Sequence, residues 1–190
     1  MGHKIVIKKD LKMARWFWLD LEMTGLNAQQ DVILEIATLI TDQNLNLIAE
    51  GPNLAIHQPE NKLALMDEWN QKTHQNSGLL ERVRESQISL AQAEQQVLDF
   101  AREYCDLQAA PLCGNSIYQD RLFLINYMPS LNNFLHYRVI DVSTVKILVQ
   151  NWYNSAKVNY TKNNTHRGLA DIHESIAELK FYRQNFFVQE

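Results

Sequence analysis

The sequence predicts an α/β domain built on a mixed sheet flanked by helices, and three observations carry that expectation. Three extended apolar segments come first, at residues 15–21, 32–41 and 45–57. Strand-like and helix-like stretches then alternate from residue 111 onward. Finally, Leu169, Ile172, Ile176 and Leu179 recur at helical spacing, which gives a closing helix one apolar stripe to lay on a sheet. Strands first and alternation later is the order expected when a sheet has both antiparallel and parallel neighbours.

Residues 15–21 are aromatic or aliphatic on both faces, as a central strand covered on two sides requires, and the strand period of two puts Trp16, Trp18, Asp20 and Glu22 on one face. The run 32–41 is rich in Ile and Leu, and the turn-prone 42–44 separates it from the third extended segment. Ser89 and Gln92 have capping-box spacing, and Leu90, Val97, Leu98, Ala101, Tyr104 and Cys105 then follow at helical intervals. A short strand at 111–113 leads through Gly114 into another helical stretch, and 138–140 leads into a helix from about 143 to 152. The polar segment 154–164 reads as a loop before the last helix.

A chain of 190 residues that is 46% hydrophobic can bury one substantial core, so one domain is expected over 15–190. Residues 1–14 read as an N-terminal extension or a remnant of cloning: Lys4, Lys8, Lys9 and Lys12 interrupt too few apolar residues for a secretory leader, and Met13 could be a second start. No apolar run approaches the roughly 20 residues of a membrane-spanning helix. Cys105 and Cys113 lack metal-ligand spacing and read as reduced thiols, which makes the expected location cytoplasmic. The net charge of −4, with scattered Lys and Arg, offers no basic stripe for a long nucleic acid, so any nucleic-acid substrate should be short.

Asp20 and Glu22 put two like charges on one face of an otherwise apolar strand, and burial without compensation would cost several kcal/mol. Their partner must be either a distant basic side chain or a divalent metal, to which hard oxygen ligands are suited. Asp120 follows the turn-like 114–116; by itself it could equally be a helix-start acid favoured by the dipole. His166 and Asp171 are five apart, an offset that separates them on a continuous helix at about 100° per residue. Both can face one site if the helix starts near Gly168 and leaves His166 in the loop, although a lone exposed His would look the same.

Taken together, the segments at 16–26 (WFWLDLEMTGL), 113–120 (CGNSIYQD) and 165–172 (THRGLADI) resemble the three motifs of the DEDDh exonuclease superfamily. The stretches 64–79, 127–138 and 141–146 are similar to the oligoribonuclease family in particular, so the likeness covers nearly everything from residue 15 onward. The resemblance implies an RNase H-like fold, a homodimer, and two Mg²⁺ or Mn²⁺ ions held by Asp20, Glu22, Asp120 and Asp171, with His166 as general base. It implies 3′-to-5′ hydrolysis of short RNA, especially dinucleotides, to 5′-mononucleotides. Leu26 would wedge against the bases and Tyr137 would reach in from the partner subunit to stack. Ser116, Arg138 and Ser143 would cap the terminal 5′-phosphate, and Trp69 and His74 would line the site, with core packing as the other reading of Trp69. Tyr118 stands where a Gly is common in that family, and Ala170 where an acid is, which leaves Asp171 as the sole acid of the last motif. Two rival expectations remain: an exonuclease of longer DNA or RNA ends, and a catalytically silent nucleic-acid-binding domain.

Overall fold

The computed structural model describes residues 15–153, 160 and 168–188. The first fourteen residues therefore lie outside the described part, as do His166 and all of 154–164 except Tyr160. Strands β1 (Arg15–Met23), β2 (Ile33–Asp42) and β3 (Leu47–Ala55) come first, followed by short helices α1 (Glu60–Leu63), α2 (Glu68–Asn76) and α3 (Leu79–Glu85) and the longer α4 (Leu90–Tyr104). Then come β4 (Pro111–Gly114), α5 (Tyr118–Tyr127), α6 (Pro129–Phe134), β5 (His136–Asp141), α7 (Val142–Trp152) and α8 (Gly168–Phe186).

The five strands form one sheet in the order β3-β2-β1-β4-β5. The first three pair antiparallel, while β4 runs parallel to β1 and β5 parallel to β4. This is the mixed, helix-flanked sheet expected of an RNase H-like fold, with β1 at its centre. Its neighbour β2 is buried along nine of its ten residues, which is why its sequence is apolar without alternation. Asp42 closes the β2–β3 hairpin by accepting from the amides of Asn44 and Asn46, an Asx turn that compensates for Leu45 at φ 68°.

Alternation along β1 sends its residues into two different interiors. Phe17, Leu19 and Leu21 pack with Val97, Phe123 and Leu131 beneath α4, α5 and α6. Trp18 packs on the opposite face with Ile172, Ile176, Leu179 and Tyr182 of α8. Asp20 and Glu22 follow Trp18 by the same period of two, and so emerge on the α8 side.

The helix α4 begins with the capping box that the sequence announces: Ser89 Oγ accepts from Gln92 N, and the Gln92 side chain accepts from Ser89 N at 2.8 Å. Helices α1 to α3 have no counterpart in the sequence reading. In α2 the only buried side chain is His74, so no apolar period marks it. The helical stretch after Gly114 is two helices, because Pro129 cannot continue α5 and starts α6 instead. No described helix is long and apolar enough to cross a membrane.

Candidate active site

Asp20 and Glu22 leave the C-terminal half of β1 on the α8 face, and Asp171 enters from the first turn of α8. One carboxylate oxygen from each lies within 4.8 Å of the others. The approach depends on Gly168: a β-carbon there would sit 2.8 Å from Ala37 Cβ and 3.7 Å from Asp20 Oδ2. Only a residue without a side chain lets the start of α8 come so close to β1 and β2.

Asp120 joins from the opposite helical layer. It lies in the first turn of α5, is 7% exposed, and its Oδ1 accepts from the Leu21 amide at 2.9 Å. That bond ties α5 to β1 midway between Asp20 and Glu22, so a helix-start acid also reaches the acid site.

The electrostatics of this arrangement bear on the two kinds of partner that the sequence left open. Burial, and then the charges of Asp171 and Glu35, push the Glu22 carboxyl up to about 7, with Arg82 opposing. Burial raises Asp120 to about 7 against the amide bonds that lower it. Asp20 lies well above the usual carboxylate range, through burial first and then Asp120, Glu22 and Asp171. The nearby basic group, Arg82, spends its fork on Glu35 at 3.1 and 2.7 Å. Glu35 is itself buried, and it is the cross-strand partner of Glu22. Among the described residues, the distant cation thus neutralises a different carboxylate, Glu35. Three hard oxygen donors at this spacing suit a divalent ion.

The imidazole of His74 is buried against the cluster. Its Nε2 donates to the Met23 carbonyl at 2.9 Å, which leaves Nδ1 facing Glu22 Oε2 at 3.9 Å. Trp69, one and a half turns earlier on α2, is 65% exposed, so the core-packing reading of this side chain does not hold. Leu26 is likewise exposed, yet its loop is braced: Asp31 accepts from Thr24 Oγ1 and Asn27 N, both at 2.9 Å, and Gln119 donates to the Leu26 carbonyl. An apolar side chain held out by a braced loop is a preorganised contact surface.

Ser116 and Ser143 meet at the other end. Their hydroxyls are 3.1 Å apart, and Asp141 Oδ1 accepts from both Ser116 N and Ser143 N at 2.9 Å. Because Asp141 takes the Ser116 amide, the turn holds a non-glycine φ of 49° and presents hydroxyls rather than its own N–H. Tyr137 and Arg138 lie on β5, an edge strand that leads into α7 and Ser143. The exposed Tyr137 ring stacks on His136 at 4.5 Å, with the Arg138 guanidinium 5.3 Å from its centroid. The sequence reading missed Glu35, Arg82 and Asp141. A lone acid in the apolar run 33–41 was a local signal for Glu35, whereas nothing local marks Arg82 as its partner.

A mixed sheet whose central strand and closing helix converge three carboxylates defines a class, the exonuclease-type nuclease domain with divalent-metal use, and residues 17–179 match the family described as Exonuclease. The chain is 54% identical to an oligoribonuclease of Pseudomonas aeruginosa PAO1 over 89% of this chain and 94% of that protein. It is 50% identical to one from Idiomarina loihiensis over 94% and 98% of the two chains. The chain belongs to the oligoribonuclease family. Among solved structures, the fold resembles Exonuclease I from Methylocaldum szegediense, with a TM-score of 0.69 at 15% identity. Exonuclease I from E. coli, in a zinc-bound complex with single-stranded DNA, gives 0.69 at 12% identity. The chain spans about two fifths of the length of those two proteins, covering 91% of itself in each case.

Proposed function

We propose that this protein is a 3′-to-5′ exoribonuclease that hydrolyses short oligoribonucleotides, dinucleotides above all, to 5′-mononucleotides. The observation that carries this reading is the convergence of Asp20, Glu22 and Asp171 within 4.8 Å, with Asp120 anchored beside them. These four acids would hold two divalent ions, Mg²⁺ or Mn²⁺, and the oxygen of Asp120 not committed to Leu21 N is the one offered. When bound, such ions supply charge neutralisation for the phosphodiester and a water of lowered pKa.

The remaining work falls to the chain's own side chains. His166, outside the described residues, would take the proton of the attacking water, a task suited to an imidazole with an ordinary pKa of about 6.5. His74, fixed by the Met23 carbonyl, would line the site beside Glu22. Leu26, Trp69 and Tyr137 present exposed apolar surface on which bases can stack. The hydroxyls of Ser116 and Ser143, with Arg138 on the strand leading to Ser143, would receive a terminal 5′-phosphate and so close the site to longer strands.

A homodimer fits the same surface. Tyr118, Leu122 and Ile125 form an exposed apolar stripe on α5 at helical spacing, β5 offers an uncovered sheet edge, and Ile147 and Trp152 are exposed on α7. A second copy covering this side would bring its Tyr137 to the neighbouring site. The same reading takes one exonuclease domain over 15–190, preceded by an extension or a remnant of cloning, and a cytoplasmic location in which two buried free cysteines stay reduced.

Incubation with Mn²⁺ and 5′-labelled RNAs of two to twenty nucleotides tests the proposal. Dinucleotides should be consumed fastest. Preference for long 3′ ends would replace this reading with an exonuclease of long strands, and absence of turnover would leave a silent binding domain.

A further inference from the structure

The acidic site and the serine turn are joined through the interior by a set of buried polar groups that neither end requires chemically. Asn115, the residue before Ser116, donates from Nδ2 to Ser175 Oγ at 2.9 Å and to Glu178 Oε2 at 3.2 Å. Ser175 donates in turn to the Asp171 carbonyl at 2.8 Å, and Tyr182 donates to Glu178 Oε1 at 2.9 Å. Glu178 is 1% exposed and Tyr182 is 0% exposed, on a helix face otherwise made of Ile172, Ile176 and Leu179.

A carboxylate at this position costs stability relative to an apolar residue of similar size. What it supplies is a pair of fixed acceptors, one for the turn and one for the helix. Burial and Glu178 both push the Tyr182 hydroxyl up, so it remains a donor throughout the working range.

We infer that Asn115, Ser175, Glu178 and Tyr182 are positioning residues that lock the Ser116 turn to the segment of α8 carrying Asp171, so that seating of a terminal phosphate and placement of a metal-holding carboxylate depend on each other. The inference rests on the proposed function, in which the Ser116–Ser143 hydroxyls receive the 5′-phosphate. It names a link that the acids and serines by themselves do not provide: the turn and the helix are 60 residues apart in sequence, and they share these hydrogen bonds. Two groups held by one hydrogen-bonded unit respond as a unit, and the coupling is reciprocal.

The test uses the Mn²⁺-loaded enzyme and two dinucleotides, one with and one without a 5′-phosphate. Two quantities are read: the ratio of kcat/KM for the two substrates, and the Mn²⁺ midpoint of binding in a calorimetric titration of the substrate-free enzyme. Asn115→Asp sets two carboxylates face to face. It should lower the ratio about tenfold and raise the Mn²⁺ midpoint several-fold, the scale of one charge-assisted hydrogen bond lost. Asn115→Ala removes both donated bonds without adding a charge and should move both quantities the same way, so the test does not depend on Asn115→Asp folding.

Adding Glu178→Gln to Asn115→Asp restores a donor opposite an acceptor, because the new amide can donate to Asp while its oxygen accepts from Tyr182. The double variant should regain the part of both losses carried by the bond to residue 178, since the bond to Ser175 is not restored. Variants that lower thermal stability while keeping the wild-type ratio and midpoint would reduce the bracket to packing and overturn the inference. A double variant no better than Asn115→Asp would do the same. A wild-type ratio near one would overturn the phosphate reading itself, and the inference with it.

Discussion

Successive residues of β1 serve interiors of opposite character. On the α4–α6 side, the side chains of Phe17, Leu19 and Leu21 pack in an apolar cluster whose burial favours the folded state. On the α8 side, Trp18 is followed by Asp20 and Glu22, whose carboxyls are raised by burial and by neighbouring carboxylates, Asp171 among them. The apolar face stores stability, and the acidic face draws on it to hold mutually repelling charges together. That division lets one strand be both the centre of the core and the floor of the site.

The largest expected effect lies on the acidic face. Asp171→Asn should lower kcat on a dinucleotide by on the order of 10³-fold, as loss of a carboxylate that would hold the charge-neutralising ions does. It should leave the metal-free melting temperature unchanged or higher, because it removes one of the mutually repelling charges. Retained turnover would show that the site does not use this acid. On the other face, Leu19→Ala should cost about 2–5 kcal/mol in urea unfolding and leave turnover per folded molecule nearly unchanged. A comparable loss of turnover would mean that the two faces are not separable.

The pH dependence of stability sharpens the contrast. A carboxyl whose folded pKa is raised keeps its proton where the unfolded chain has lost it, so folding is favoured at low pH and penalised as pH rises. For Glu22 the window runs from 4.5 to about 7. The corresponding penalty is on the order of 3 kcal/mol at pH 8 for this group. Urea midpoints of the chelator-treated protein should therefore fall between pH 5 and pH 8, and saturating Mn²⁺ should remove most of that fall. A flat profile in chelator would contradict the raised carboxyls of the acidic face.

The smallest effect concerns a residue remote from both interiors. Tyr137→Ala should lower kcat/KM on dinucleotides by about tenfold, within the range for loss of one base-stacking ring, without dissociating a dimer in sedimentation. Unchanged kinetics would remove Tyr137 from the site.

Much of this architecture is legible along the chain. Strands β1 to β3, the capping box of α4 and the apolar stripe of α8 are all written in local periods, and Asp20 and Glu22 share a face because a strand repeats every two residues. Helix α2 was not legible, because a surface helix whose only buried side chain is His74 has no apolar rhythm to detect. Trp69 could not be assigned from sequence either, since a tryptophan serves a core or a binding surface equally well, and only its exposure separates the two.

The sequence by itself determined the fold class, the residue types of the site and the family, because these follow from short-range periodicity and from motifs carried on contiguous segments. Tertiary structure alone decided which charges face one another: that Arg82 serves Glu35 rather than Glu22, that Asp120 grips the Leu21 amide, and that Asn115 reaches Glu178. Those pairs are separated by 47 to 99 residues. Side chains so far apart in sequence become neighbours only through the packing of whole helices and strands, which no local pattern encodes.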